Sequence, residues 1–272
     1  MADFILWLQQ FSSPATDSFF LLISALTNEF VYLAVLGVVY WCIDKNKAYY
    51  ISIFLFLSFG LNSLLKNIFR IPRPYTYSTV RQIDVDTGYG YSFPSGHAQL
   101  STTFSGLFSV VFKKTWIYIV GAILVALTGL SRMYLGVHTI IDILFGIISG
   151  LLLTLLGIKL KNSANSKLLG VASFLLLLGT SLIFKSEDTT KLLFFAAGFY
   201  FGNFFEEKYI NYVIPKKKSY CILGTIIGFA FTMLLNVLLK QIGLIYIRYL
   251  VLGLFITVAV PYFIKKISKD GR

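Results

Sequence analysis

Nine apolar runs follow one another along this chain, at approximately 18–42, 46–66, 95–112, 115–133, 139–160, 168–184, 191–205, 219–240 and 246–264. A helix needs about 20 apolar residues to cross the hydrocarbon core of a bilayer. A single soluble core cannot hide so many such segments. The composition agrees: 57% of the 272 residues are hydrophobic and 13% are charged, where soluble domains carry about 25% charged residues. The expected fold is all-α, a polytopic transmembrane helical bundle.

Details of the runs refine this. The 191–205 run is short and stops at Glu206-Glu207, and the 18–42 run is interrupted by Thr27-Asn28-Glu29, so it is expected to be broken or partly interfacial. Residues 3–11 carry Phe4, Ile5, Trp7, Leu8 and Phe11, a spacing that suits a short helix lying at the membrane interface. The N-terminus has no basic segment followed by a small-residue cleavage site, so the first span is expected to act as an uncleaved insertion signal. Gly146 and Gly150, four apart in an apolar run, allow close helix packing. Cys42 and Cys221 have no metal-ligand spacing and read as small apolar fillers.

The net charge of +12 raises nucleic acid as a partner, but no basic block is interleaved with stacking aromatics in a polar domain. The cations read instead as topology determinants and phosphate ligands. If the runs alternate across the membrane, 15 of the 24 Lys and Arg fall on one side, among them Lys45, Lys47, Lys113, Lys114, Lys216, Lys217, Lys218, Lys269 and Arg272. Nine fall on the other, including Lys66, Arg70, Arg73, Arg81 and Arg132. The positive-inside rule puts the larger group in the cytoplasm. A polar loop over about residues 67–94, with Pro72, Pro74, Gly88, Gly90, Asp84 and Asp86, then lies on the extracytoplasmic side.

The chain's two histidines stand on that same side. His138 precedes Asp142 by four residues, a spacing that places both side chains on one face of a helix. A carboxylate that accepts the proton-bearing ring nitrogen leaves the other lone pair outward, as a nucleophile requires; an ordinary buried His–Asp pair is the competing reading. His97 follows Pro94-Ser95-Gly96 at the start of an apolar run. Backbone N–H groups at a helix N-terminus attract an oxyanion, Gly96 permits close approach, and Ser95 can cap the helix or bond a phosphoryl oxygen. His97 has no neighbouring carboxylate and suits a general acid that later acts as base for water. Arg73 and Arg132 can hold phosphoryl oxygens in bidentate fashion, and Lys66 adds a point charge or snorkels to the interface. Arg70 and Arg81 suit lipid headgroup or loop contacts, and Tyr134 the interfacial aromatic belt.

Taken together, Lys66-x6-Arg73-Pro74, Pro94-Ser95-Gly96-His97 and Ser131-Arg132-x5-His138-x3-Asp142 resemble the three-part motif of the type 2 phosphatidic acid phosphatase (PAP2) superfamily, membrane lipid phosphatase branch, over about residues 40–160. The resemblance implies a PAP2-like catalytic core in residues 1–165 and additional transmembrane helices with a cytoplasmic C-terminal tail in residues 166–272. It implies His138 as the nucleophile that forms a phosphohistidine, Asp142 as its orienter, and His97 as the acid. Lys66, Arg73, Ser95, Gly96 and Arg132 would bind the substrate phosphate, with no metal and no other cofactor.

The expected activity is hydrolysis of a lipid phosphate or pyrophosphate at the extracytoplasmic face of a cell membrane. The implied partners are that phosphorylated lipid and the surrounding membrane lipids, with no nucleic acid. Transfer of the phosphoryl group to a second lipid or glycan is an alternative, and a phospholipid-binding transporter another. The C-terminal runs would shape a lipid entrance, make a homodimer or bind something else. Phosphatidic acid, phosphatidylglycerophosphate, sphingoid phosphates, lipid A phosphates and undecaprenyl pyrophosphate all suit these residues.

Overall fold

A computed structural model describes residues 2–76, 78–162 and 165–269, the last by its backbone. The tail at 270–272, expected to be cytoplasmic, lies outside them, as does the side chain of Lys269. Every regular element among the described residues is helical: α1 (Asp3–Gln9), α2 (Pro14–Leu26), α3 (Glu29–Cys42), α4 (Lys45–Phe69), α5 (Gly96–Phe112), α6 (Thr115–Tyr134), α7 (Ile140–Leu160), α8 (Ser166–Phe184), α9 (Glu187–Phe205), α10 (Lys218–Gln241), α11 (Ile245–Leu254) and α12 (Val260–Lys269).

Local chemistry sets the starts of these helices. Ser13 caps α2 in a reciprocal box with Thr16, and Pro14 fills the first helical position, where its missing N–H costs nothing. Ser95 caps α5, Thr139 and Asp142 form a second capping box on α7, and Asn165 and Ser186 cap α8 and α9. Among the described residues six helical segments are long and apolar enough to cross a membrane. They are Lys45–Thr76, Thr115–Tyr134, Ile140–Leu160, Ser166–Phe184, Lys218–Gln241 and Ile245–Ser268. The α2–α3 pair passes as one span bent by 49° at the Thr27-Asn28 break, where the interrupted first run is expected to change direction. The protein is a multi-pass membrane protein.

The chain divides into two compact units, Met1–Leu33 with Leu57–Ala164 and Ala34–Phe56 with Asn165–Arg272. The second unit thus takes in Ala34–Phe56 besides the C-terminal residues. In the first unit α5 packs against both α6 and α7. It is seventeen residues long and buries Gln99, Ser101, Thr102, Thr103, Ser105 and Ser109. Burying polar groups is costly unless they are bonded: Gln99 Nε2 donates to the Ser58 carbonyl at 2.8 Å and Asn62 Nδ2 donates to Gln99 Oε1 at 3.0 Å, while the Ser105 hydroxyl has no partner. The glycine spacing acts as expected. A Cβ on Gly146 would meet the Ser95 carbonyl oxygen at 2.6 Å, and one on Gly150 the Gln99 oxygen at 2.6 Å and Thr102 Cβ at 2.6 Å. The two helix backbones therefore touch, and α7 carries its N-terminus directly against that of α5.

In the second unit α11 packs along α9, where a Cβ on Gly253 would meet the Phe195 carbonyl oxygen at 2.4 Å. Single π-helical turns continue α9 (Glu206–Ile210) and α11 (Phe255–Ala259). Such turns release carbonyls from the regular ladder, and Trp41 Nε1 donates to the Ile256 oxygen at 2.9 Å. Glu206 is fully buried but answered, with Lys45 Nζ at 3.1 Å and the Tyr212 amide donating to it.

Gly150→Leu should open the α5–α7 contact and lower stability by about 3 kcal/mol or more, while a comparable change at exposed Leu152 should cost little. Thermal unfolding of the two variants in one detergent makes the comparison.

Candidate active site

Three chain segments of the first unit build the site. The last turn of α4 supplies Lys66; the loop behind it supplies Arg73 and leads into Ser92-Phe93-Pro94-Ser95, where α5 starts. The third segment is the end of α6 with Arg132, followed by the turn 135–139 and the start of α7. Gly136 makes this turn at φ +77°, where an added Cβ would meet the Arg81 carbonyl oxygen at 2.2 Å, so both conformation and space call for glycine. The loop lies on that turn through Ile83, whose amide donates to the Leu135 oxygen at 3.1 Å.

His138 is buried just ahead of the Thr139 cap, not on the helix face that its i+4 spacing to Asp142 suggests. The capping turn brings the pair together, with Nδ1 of His138 3.7 Å from Asp142 Oδ2. The short bonds of that carboxylate oxygen go elsewhere: the Thr139 amide and the Ser92 hydroxyl each donate to it at 2.7 Å. On the other side of the ring, Nε2 stands 3.3 Å from Arg73 Nη1. Arginine has only donors, so Nε2 can meet it only through a lone pair. Burial first, then the charges of Arg73, Lys66 and Arg132 and lastly His97, hold the His138 imidazole well below its ordinary value, which keeps the ring neutral.

The cations are fixed by backbone oxygens. Arg73 is 4% exposed; its Nη1 donates to the Val137 oxygen at 2.9 Å, its Nη2 to the Tyr89 oxygen at 2.6 Å and its Nε to the same oxygen at 3.0 Å. Lys66 Nζ donates to the Tyr91 carbonyl and reaches the Ser92 oxygen at 3.5 Å. Ser95 accepts from the Ala98 amide at 3.4 Å, and its own amide donates to the Asp142 carbonyl at 3.0 Å. A Cβ on Gly96 would meet Asn62 Oδ1 at 3.0 Å, so the first turn of α5 is tight on that side.

Within the site, His97 and Arg132 each carry an unanswered group. His97 Nε2 and Arg132 Nε are both buried without a hydrogen-bond partner, and His97 lies within electrostatic reach of Arg132, Arg73 and Lys66. A buried polar atom left unpaired costs about 1–3 kcal/mol. Among the described residues no three His, Cys, Asp or Glu side chains gather as a metal site; the cationic side chains at the site are Lys66, Arg73 and Arg132.

Other placements differ from what the sequence suggests. Tyr134 is 1% exposed, not in an interfacial belt; its hydroxyl bonds Asp17 and Thr16, because α2 packs over the end of α6. Arg81 pairs with Asp17 at 2.8 Å.

The sequence and fold were compared with known proteins. Residues 47–166 match the PAP2 superfamily, and residues 190–272 match the PAP2 superfamily phosphatase, transmembrane extension. Together the two matches take in most of the chain. Sphingosine-1-phosphate phosphatase 2 of Mus musculus is 30% identical over 131 residues, which cover 46% of this chain and 37% of that protein. Phosphatidylglycerophosphatase B of Bacillus subtilis is 31% identical over 102 residues, 34% of this chain and 47% of that protein. The crystal structure of Aquifex aeolicus LpxE has a TM-score of 0.52 at 24% identity, covering 58% of this chain and 93% of that one, which shows a shared fold. Matched segments make up 35–39% of the length of three of the curated relatives, so the chain spans well under half of them.

Two sets of residues at the site have no motif to announce them. Ser92 is one. The other is the group around Arg132, whose Nη1 donates to Asp84 at 2.7 Å, Ser24 at 2.6 Å and Thr87 at 2.9 Å. Burial would raise the Asp84 pKa, but the Arg132 guanidinium and the Thr87 hydroxyl and amide outweigh it and hold the carboxyl down to about 2. The only sequence signal was an acidic residue in a loop opposite a cation-rich motif. Asp84→Ala should leave the Arg132 charge buried and alone, at a cost of about 3–5 kcal/mol, whereas Asp86→Ala, at an exposed position, should stay within about 0.5 kcal/mol. Denaturation midpoints of the two variants in detergent decide the matter.

Proposed function

This chain belongs to the PAP2 superfamily, and from that premise we propose that it is an integral-membrane phosphatase. Its substrate is a lipid phosphate or pyrophosphate, hydrolysed through a phosphohistidine at the extracytoplasmic face. The observation that carries the reading is His138 Nε2 standing 3.3 Å from Arg73 Nη1, together with two buried nitrogens, His97 Nε2 and Arg132 Nε, that have no hydrogen-bond partner. The sidedness rests on the Lys and Arg distribution. The class of substrate rests on what the relatives' names say of them, lipid phosphates in both cases.

In the proposed reaction Nε2 of His138 attacks phosphorus and the ester or anhydride oxygen leaves. His97 gives that oxygen its proton. Water then attacks the phosphohistidine with His97 as base, and inorganic phosphate departs. Negative charge spreads over three phosphoryl oxygens as the old bond breaks; Arg73, Arg132 and Lys66 and the N-terminus of α5 stabilise it. Held in place before the substrate arrives, these groups need little rearrangement during the step. The resting contact between Arg73 and His138 Nε2 then has to yield, and an arriving phosphoryl oxygen offers Nη1 a stronger, charged acceptor.

His138→Ala and His97→Ala should each lower phosphate release by about 10³-fold or more with the melting temperature nearly unchanged, measured on purified protein with a panel of lipid phosphates. Near-normal release by His138→Ala would remove the nucleophile assignment. The wild-type rate should survive a chelator; strict dependence on an added divalent ion would contradict the mechanism.

A further inference from the structure

The carboxylate expected to orient His138 does not reach it directly. The His138 Nδ1–Asp142 Oδ2 separation is 3.7 Å, beyond a hydrogen bond. Between them stands Ser92, 1% exposed. Its Oγ is 2.7 Å from Asp142 Oδ2 and 3.3 Å from His138 Nδ1, with the Val137 carbonyl oxygen more distant at 3.4 Å. We infer that Ser92 is a positioning residue for this reaction, a hydroxyl bridge through which Asp142 sets the tautomer and angle of the His138 ring.

The proton count closes. A hydroxyl has one proton and two lone pairs. The proton goes to the nearest and only charged acceptor, Asp142. A lone pair is then free for the His138 Nδ1–H, and the ring's remaining lone pair falls on Nε2, the atom that faces Arg73. When Nε2 bonds to phosphorus the ring becomes cationic while Nδ1 keeps its proton. The bridge then shortens as the positive charge is felt by the carboxylate, and no proton has to move.

Ser92 is held for this task from both sides of its own backbone. Its amide donates to the Ile71 oxygen at 2.8 Å, and its carbonyl lies 3.5 Å from Lys66 Nζ, which also takes the Tyr91 carbonyl. Lys66 therefore fixes the bridge as well as adding charge. Asp142 is held by the helix it caps, with the Thr139 amide on the same oxygen. A hydroxyl fixed so firmly, three residues before Ser95, has the rigidity that an orienting group needs.

The test reads the bridge itself as well as turnover. The chain has two histidines, so ¹⁵N-histidine labelling of the full chain in detergent leaves few ring signals, and His97→Gln assigns them. Wild-type His138 should carry its proton on Nδ1. Ser92→Ala, and the similarly sized Ser92→Cys, should mix the His138 tautomers and leave the His97 signals in place, while Ser92→Thr, which keeps the hydroxyl, should preserve the wild-type pattern. The kinetic arm rests on the phosphatase reading: kcat of Ser92→Ala should fall about 10- to 100-fold with KM within about twofold, and most of that loss should vanish on an Asp142→Ala background. An Nε2-protonated His138 in the wild type would overturn the inference. So would unchanged tautomers in both Ser92→Ala and Ser92→Cys, or a Ser92→Ala loss that stays fully additive with Asp142→Ala. If the tautomer responds as expected but the wild-type chain releases phosphate from no lipid, the bridge stands and the assigned reaction fails.

Discussion

A guanidinium taken wholly out of water has to find its countercharge nearby, and at Arg132 that demand organises the first unit. The side chain is 0% exposed. Asp84 answers it at 2.7 Å, with Ser24 and Thr87 on the same nitrogen. These partners come from α2 and from the long loop, so one buried charge ties together the end of α6, the last turn of a lipid-facing helix and the segment that leads into α5. Removing charge from water costs several kcal/mol per ion before pairing is counted. With Asp84 in place the loop is pinned to the end of α6; without it the guanidinium keeps Ser24 and Thr87 but loses its countercharge. The same pairing divides the guanidinium, since Nη1 is spent on protein oxygens while Nε is left buried and free.

The contact between α5 and α7 does comparable work for the histidines. Glycines at 146 and 150 let the backbones touch, and the Ser95 amide bonds the Asp142 carbonyl at 3.0 Å. Two helix N-termini meet there, and each carries the positive end of its helix dipole. Asp142 completes the capping box of α7, and Ser95 caps α5.

Much of this was legible in the chain. Runs of apolar residues announced helices of membrane-spanning length, the Thr27-Asn28-Glu29 interruption announced the bend between α2 and α3, and Gly146 and Gly150 announced a close contact. Lys66, Arg73, Ser95, Gly96, His97, Arg132, His138 and Asp142 were all marked by motif, and the fold gathers them in one unit. Less legible were the partners. Tyr134 read as an interfacial aromatic because its neighbours are apolar, yet α2 covers it and gives its hydroxyl Asp17. The i+4 spacing of His138 and Asp142 read as a direct pair on one helix face, yet the helix begins only after His138.

What the sequence determined by itself was the class of fold and the inventory of reactive groups in their order, because helix length, capping and apolar periodicity depend on residues within a few positions of each other. What only the tertiary structure decided was which oxygen meets which nitrogen: Asp84 on Arg132 across 48 positions, Ser24 on the same arginine across 108, and Ser92 between Asp142 and His138. Those choices come from the way distant segments are packed against one another. A buried polar atom takes the nearest correctly aimed partner the fold supplies, however far away it lies along the chain.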